Sequence, residues 1–277
     1  VQLNVAVSSI QQLETVLNTT VNRVYCPIRD LDIAQFESII TAKGTTEVFL
    51  QLPRIAEQKE LEEFKTKLSR LEKTNIDGYL ISQLGVLNLV ENTNKTLAAE
   101  FALNIYNSYS LELLQGLGFA SATVSPELTL EEIKNLNIEQ DLSKEVIVYG
   151  YLPMMISNYC PIGAVERKFD FSQSCDVNCQ NRNYGLQDRK GMIEAIATDA
   201  KNCRSIIYNS QPLHLLSHLR QIKNANCDSL RLNFTIEKQE QIKEIIANYQ
   251  TKLENHQQNI SSAIQNYTTG HFFRGVK

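Results

Sequence analysis

Four cysteines fall in one stretch of this chain with the spacing Cys160-x14-Cys175-x3-Cys179-x23-Cys203. Thiols gathered in this way can lock a disulfide knot, staple a loop around zinc, hold an iron–sulfur cluster or supply a nucleophile. Structural zinc sites usually carry two closely spaced cysteine pairs, and here there is one, Cys175 with Cys179. Iron–sulfur clusters ask little of their protein beyond thiolates, so isolated ligands gathered from distant loops suit them. The spacing points to a four-cysteine metal site and leaves zinc and iron both open, with disulfides as the alternative. A lone catalytic cysteine is disfavoured, because no suitably placed histidine accompanies it. Cys26 lies inside an apolar run and Cys227 just before another, where a thiol behaves as a small hydrophobe.

The elements that must position these thiols read as an alternation of strands and helices. Near-continuous apolar runs occur at 3–7, 23–28, 47–53, 78–82, 97–104, 121–125, 145–153 and 229–234. Such runs suit parallel strands buried on both faces. Between them lie helical patterns. Ser8 or Ser9 caps a helix that places Ile10, Leu13 and Leu17 on one face, and Leu61, Phe64, Leu68 and Leu71 recur at helical spacing. Thr129 followed by Glu132 has the spacing of a capping box. Eight strands with helices between them predict an α/β fold, a TIM-like (β/α)8 barrel, with an open doubly wound sheet as the runner-up. No G-x-G-x-x-G or Walker A sequence is present to favour a nucleotide-binding sheet. The alternation breaks once, between strands seven and eight, where the cysteine-rich residues 154–210 form an insertion. In a barrel, loops that follow strands build the functional face. The whole of residues 1–277 is expected to be a single barrel domain carrying that insertion and a C-terminal motif at 270–277.

The chain has 277 residues, a formal net charge of -4 and 43% hydrophobic residues. That charge is not the electrostatic footprint of a nucleic-acid binder, so an RNA partner would have to be held through a basic companion portion. No apolar run is long enough to cross a membrane, no signal peptide is visible, and six cysteines are too few for a disulfide scaffold. These features predict a cytoplasmic protein. The abrupt start on "VQLNVAV" suggests a piece of a longer chain.

The segments "EVIVYGYLPMMISNYCPIGAV", "LQDRKG", "CRSIIYNSQPL", "DSLRLNF" and "GHFFRGV" resemble the collagenase-like peptidase family U32, in particular the C-terminal part of its long bacterial members. "LQLPRI" and "LNIYNSYSLELLQGLGFASATVSPELTLEEI" extend the resemblance over nearly the whole chain. The family name implies a peptidase. The resemblance also implies RNA-hydroxylating relatives that make 5-hydroxypyrimidines in tRNA or rRNA, with prephenate implicated as donor and a [4Fe–4S] cluster on four cysteines. Those ligands fall here on Cys160, Cys175, Cys179 and Cys203. Structural zinc remains the alternative for the same residues. The expected function is accordingly an iron–sulfur-dependent RNA hydroxylase. A collagenase-like peptidase and a non-catalytic scaffold or electron-transfer barrel are the alternatives.

A peptidase mechanism has little support in the residues. The nearest approach to His-Glu-x-x-His is His214 to His218, and Leu215 stands where the Glu would be. His256 and His271 remain as bases, and no G-x-S-x-G elbow exists. A hydroxylase would need guanidiniums for an acidic co-substrate such as prephenate. Arg54, just past strand three, and Arg274, in the terminal motif with His271, are the first candidates. Arg231 within strand eight and Arg204 beside Cys203 follow. Glu127 and Tyr149 are acid–base candidates by position, and Asn104, Asn107 and Tyr208 also lie near strand ends or the cysteines. Phe272 and Phe273 could stack a base, although core packing is the ordinary role of such residues. Asp188 and Arg189 read as a turn ending in Gly191, or as a brace for the cysteine loop.

Overall fold

The structure is a computed structural model that describes residues 1–29, 31–91, 93–137, 142–166, 179, 184–199, 202–255, 260 and 264–276. It divides into two compact units, one comprising Val1–Gly150, His214–Gln265 and Thr269–Lys277, the other Tyr151–Leu213 with Asn266–Thr268.

The first unit is a closed barrel of parallel strands. In chain order these are β1 (Gln2–Ala6), β2 (Arg23–Pro27), β3 (Glu47–Gln51), β4 (Gly78–Ile81), β5 (Thr96–Ala99), β6 (Phe119–Thr123) and β7 (Ser143–Gly150). The second unit contributes β8 (Pro153–Ser157), β9 (Tyr184–Gln187), β10 (Ile193–Asp199) and β11 (Arg204–Tyr208). The two-residue β12 (Leu213–His214) leads back, and β13 (Ser229–Asn233) enters between β7 and β1. The order β7-β13-β1-β2-β3-β4-β5-β6 closes through a β6–β7 pairing, so the expected eight-stranded TIM-like barrel is the observed fold.

Local chemistry sets the helices. Ser9 accepts the Gln12 amide to cap α1 (Ile10–Leu17), and Asp32 accepts that of Gln35 to cap α2 (Ile33–Ile40). α3 (Gln58–Leu71) buries Phe64, Leu68 and Leu71, three of the residues whose spacing predicts it. Asn107 caps α4 (Ser108–Gly116), and the Thr129–Glu132 capping box opens α5 (Leu130–Asn135). Two short helices, α6 (Pro161–Glu166) and α7 (Leu219–Lys223), precede the long α8 (Gln239–Glu254). Between β4 and β5 the connection is a 3-10 turn, Leu84–Leu89, in place of an α-helix. Strand five ends earlier than its apolar run suggests. The Glu100 carboxylate accepts the Ala102 amide, which starts a 3-10 turn closed by Asn104 at φ 58. Among the described residues no helix is long and apolar enough to cross a membrane.

The barrel interior is partitioned. Tyr25, Phe49, Leu80 and Ala98 form an apolar cluster with Ala6 packed against it. Beside it runs a polar network. Arg231 is 1% exposed and donates Nη2 to Glu100 Oε1 at 2.6 Å and Nη1 to Glu145 Oε1 at 3.2 Å. Glu145 also accepts from Asn4 Nδ2 (2.6 Å), Tyr25 Oη (2.9 Å) and Thr123 Oγ1 (2.7 Å). Burial and the adjacent Glu145 charge push the Tyr25 hydroxyl well above its usual range, so it stays a donor.

Removing one member of a buried ionic network strands the others without compensation, at about 3–5 kcal/mol. Arg231→Ala and Glu145→Ala should each lower the free energy of unfolding by that much, read as a lower urea midpoint at unchanged slope, whereas Glu47→Ala, the exposed partner of Arg23, should change it little. A wild-type midpoint in Arg231→Ala would show that the network does not hold the barrel.

Candidate functional site

The second unit carries the cysteine-bearing segments, and its register sets where three of them join the sheet. Its sheet runs β8-β11-β10-β9, all antiparallel. Ser157 pairs with Ser205, Asp199 with Arg204, and Ile196 with Tyr184. The end of β8, the β10–β11 turn and the start of β9 therefore lie at the same end of the sheet, with β8 and β9 as its two outer strands. Cys160 follows β8, Cys203 lies in the β10–β11 turn, and Cys179 precedes β9. Cys175 lies outside the described residues. The same register puts the β9–β10 hairpin at the opposite end. There Asp188 Oδ1 accepts the amides of Lys190 (2.7 Å) and Met192 (2.9 Å), and Gly191 takes φ 81. The turn reading of Asp188 holds; residues 167–178 of the cysteine loop, which Asp188 and Arg189 would brace, lie outside the described residues.

Polar side chains tie the cysteine-bearing segments together. Arg204 Nε donates to Asn158 Oδ1 at 3.1 Å, and its Nη1 lies 3.9 Å from Asp199 Oδ2. One buried guanidinium thus links the segments leading to Cys160 and Cys203. Asn202 holds the turn by its amide to Asp199 Oδ1 (3.2 Å) and its Nδ2 to Asp199 Oδ2 (2.9 Å). Cys203 sits at φ 52, a backbone region that a β-carbon disfavours. Cys160 Sγ accepts the Gly163 amide at 3.2 Å, the kind of N–H···S contact that steadies a thiolate. Among the described residues no three Cys, His, Asp or Glu are grouped as a metal site, and no disulfide joins two of the described cysteines. The donor types at this end are those of a thiolate-held centre, so Cys160, Cys179 and Cys203, with Cys175, fit such a group in chemistry.

The other two cysteines differ. Burial pushes the Cys26 thiol up to about 12 and that of Cys227 to about 11. Cys227 Sγ donates to Ile222 O at 3.2 Å. Both are inert packing residues.

On the barrel, the strands' C-terminal ends carry most of the remaining candidates. Arg54 follows β3 and Arg274 lies in the terminal turn; both are exposed and make no ion pair among the described residues. Glu127, past β6, accepts the Tyr106 hydroxyl. His271 Nδ1 lies 3.0 Å from Gly275 O, and His271 O accepts the amides of Arg274 (3.2 Å) and Gly275 (2.9 Å). That closed turn docks on α5, where Leu130 N donates to Phe272 O at 3.0 Å. Ser82 Oγ, Asn233 Oδ1 and Thr235 Oγ1 are buried at strand ends without a hydrogen-bond partner among the described residues, polar groups suited to a polar ligand.

Three candidates are placed elsewhere. Tyr149 faces the helix layer, its ring against Tyr249 of α8, Phe234 and His214, and its hydroxyl donates to Glu237 Oε1 at 3.0 Å. Asn107 is spent on its cap. Tyr208 is a buried residue of β11 in the cysteine unit. Sequence reasoning passed over Glu100 and Glu145 altogether and ranked Arg231 low. The available signal was a charge at the edge of each apolar run, which resembles a strand boundary. His214 is also buried, and burial lowers it to about 4, so it is neutral at pH 7.

Comparison with known proteins now bears on this geometry. The model of peptidase family U32 matches residues 8–274. The 23S rRNA 5-hydroxycytidine C2501 synthase of Escherichia coli K12 is 24% identical over 228 residues, 80% of this chain and 33% of that protein. The tRNA hydroxylation protein P of the same organism is 26% identical over 133 residues, 47% of this chain and 29% of that protein. The chain thus spans about a third of the length of these curated relatives. A solved U32 peptidase shares the fold at a TM-score of 0.50 and 12% identity, covering 86% of this chain and 94% of its own.

Two measurements test the site. In metal-free protein, iodoacetamide should label Cys160 and Cys203 within minutes while Cys26 and Cys227 stay unmodified until unfolding, read by peptide mass spectrometry. The depressed pKa of His214 carries a sign. Below pH 6.5 the unfolded chain takes up a proton there that the folded chain refuses until about pH 4. Stability should therefore fall on acidification through that window, by about 1.4 kcal/mol per pH unit, and His214→Gln should flatten that slope.

Proposed function

Because the chain belongs to peptidase family U32, we propose that it is part of an RNA-hydroxylating enzyme that converts a pyrimidine of rRNA or tRNA to its 5-hydroxy form. The observation that carries this reading is the likeness, over 80% of the chain, to a 23S rRNA 5-hydroxycytidine synthase. The gathering of cysteine-bearing segments at one end of the β8–β11 sheet supports it, since those residues would hold a [4Fe–4S] cluster: Cys160, Cys175, Cys179 and Cys203. Such a cluster supplies one-electron chemistry when bound.

The chain's own residues have the following parts. Arg204 and Asn202 fix the turn that presents Cys203, and the Gly163 amide steadies the Cys160 sulfur. Arg54 and Arg274, exposed at the C-terminal face, bind anionic groups, among them the carboxylates of a small acidic co-substrate such as prephenate. Glu127 holds or releases a proton at its carboxylate, steadied by the Tyr106 hydroxyl. His271 shapes the turn that carries Arg274. Tyr149, committed to Glu237, positions the barrel wall and touches no substrate. With a net charge of -4, this chain leaves most contacts to the RNA backbone to a further portion or a partner. The reaction takes place in the cytoplasm, where RNA and reduced thiols coexist.

The test is paired. Full-length protein purified without oxygen should contain about four irons and four acid-labile sulfides. Cells carrying Cys175→Ala should lose the 5-hydroxypyrimidine from digested RNA, read by nucleoside mass spectrometry. Persistence of the nucleoside in that strain refutes the cluster's role. Stoichiometric zinc without sulfide, with cleavage of gelatin, would instead establish the peptidase that the family name describes.

A further inference from the structure

The terminal motif holds two adjacent phenylalanines with opposite fates. Phe272 is 2% exposed and anchors the turn, while Phe273 is 46% exposed. Phe273 is not needed to hold the turn, which is already fixed by His271 to Gly275, by the amides on His271 O and by Leu130 on Phe272 O. Its ring is nevertheless held in place. The His218 ring lies 4.5 Å away at an interplanar angle of 51°, and His218 Nδ1 is itself 3.0 Å from Gln221 Oε1. The result is a rigid, half-exposed aromatic pair on a barrel whose adjacent residue, Arg274, is an exposed guanidinium.

A preorganised aromatic face costs little conformational entropy to use, and every nucleobase offers a complementary π-face. An aliphatic or buried partner would not require an exposed ring packed on a second ring that is itself hydrogen-bonded, and a neighbouring cation suits a polyanion. We propose that Phe273, backed by His218, is a stacking platform for an unpaired base of single-stranded RNA. This rests on the RNA-hydroxylase reading and names the chain's own contact with that substrate. A paired base cannot use the platform, because both of its faces are already stacked.

Full-length protein is titrated into fluorescein-labelled single-stranded oligouridine and followed by anisotropy at several salt concentrations. Phe273→Ala should weaken binding roughly 5- to 150-fold, the loss of one base–aromatic stack, with an unchanged salt slope. Phe273→Tyr should restore it, and thermal midpoints should stay at the wild-type value in both, since the ring is half exposed. A duplex of matching sequence should bind without regard to residue 273. Equal binding by wild type and Phe273→Ala overturns the platform, as does displacement of the RNA by gelatin peptides that depend on Phe273. The nucleoside assay separates this from the broader reading. Phe273-dependent binding without any 5-hydroxypyrimidine product keeps the platform and discards the hydroxylase. Product formation with Phe273-independent binding does the reverse.

Discussion

One buried carboxylate ties this barrel together. Glu145 of β7 takes hydrogen bonds from Asn4 of β1, Tyr25 of β2, Thr123 of β6 and Arg231 of β13, and Arg231 reaches on to Glu100 at the end of β5. Desolvating such charges is expensive and is repaid only by near-complete hydrogen bonding. Its consequence is register. A one-residue slip of any strand in the network would turn its polar side chain out of the interior and leave the others unmatched. The apolar half of the interior, Phe49, Leu80 and Ala98, tolerates exchange of similar volumes; the polar half, Tyr25 included, does not. Strand ends, and with them the positions of Arg54, Glu127 and Asn233, are therefore set from inside the barrel.

The two units solve the problem of placing chemistry in different ways. The barrel holds its candidates on loops whose lengths are fixed by the strands beneath them. Among the described residues the second unit has no comparable core, and two of its strands expose Met154, Met155 and Ile193. Its antiparallel register brings the end of β8, the β10–β11 turn and the start of β9 to one end of the sheet, and Arg204 links the first two of these. The split between reactive and inert thiols follows. Cys26 and Cys227 are packed into the barrel, where burial suppresses the thiolate, while Cys160 and Cys203 lie on turns.

Much of the fold was legible because parallel strands buried on both faces leave an unmistakable trace of apolar runs, and because caps such as Ser9 and Thr129 act over three residues. What escaped was non-local. Glu100 and Glu145 look like strand ends until β5, β7 and β13 are brought together across more than a hundred residues of chain, as the Arg231–Glu100 separation of 131 shows. The facing of Tyr149 was hidden for a related reason. The register between β7 and β13 shifts past Arg231, so simple alternation assigns the wrong side. The Asp188 turn was read correctly, and its distance from the cysteines could be known only from the order of the sheet. The features legible from sequence were those whose chemistry is local, such as the helix caps and the terminal glycine-bounded turn.

On the proposed reading, an acidic chain acting on RNA would have to obtain affinity from something other than counterion release. Each phosphate contact contributes a salt-dependent gain that a net charge of -4 diminishes. Stacking carries no such dependence, and it selects unpaired bases, the ones whose C5 edge is open to chemistry. On that reading a division of labour therefore follows, in which a longer chain or a partner would supply charge while this barrel would supply discrimination. The rigid turn from Gly270 to Gly275 fits that division. Its two glycines at positive φ let the backbone fold tightly enough for Phe272 to anchor and Phe273 to face outward. Phe272 is used for stability, and in the proposed platform the cost of exposing Phe273 would be confined to the one position where a base could offset it.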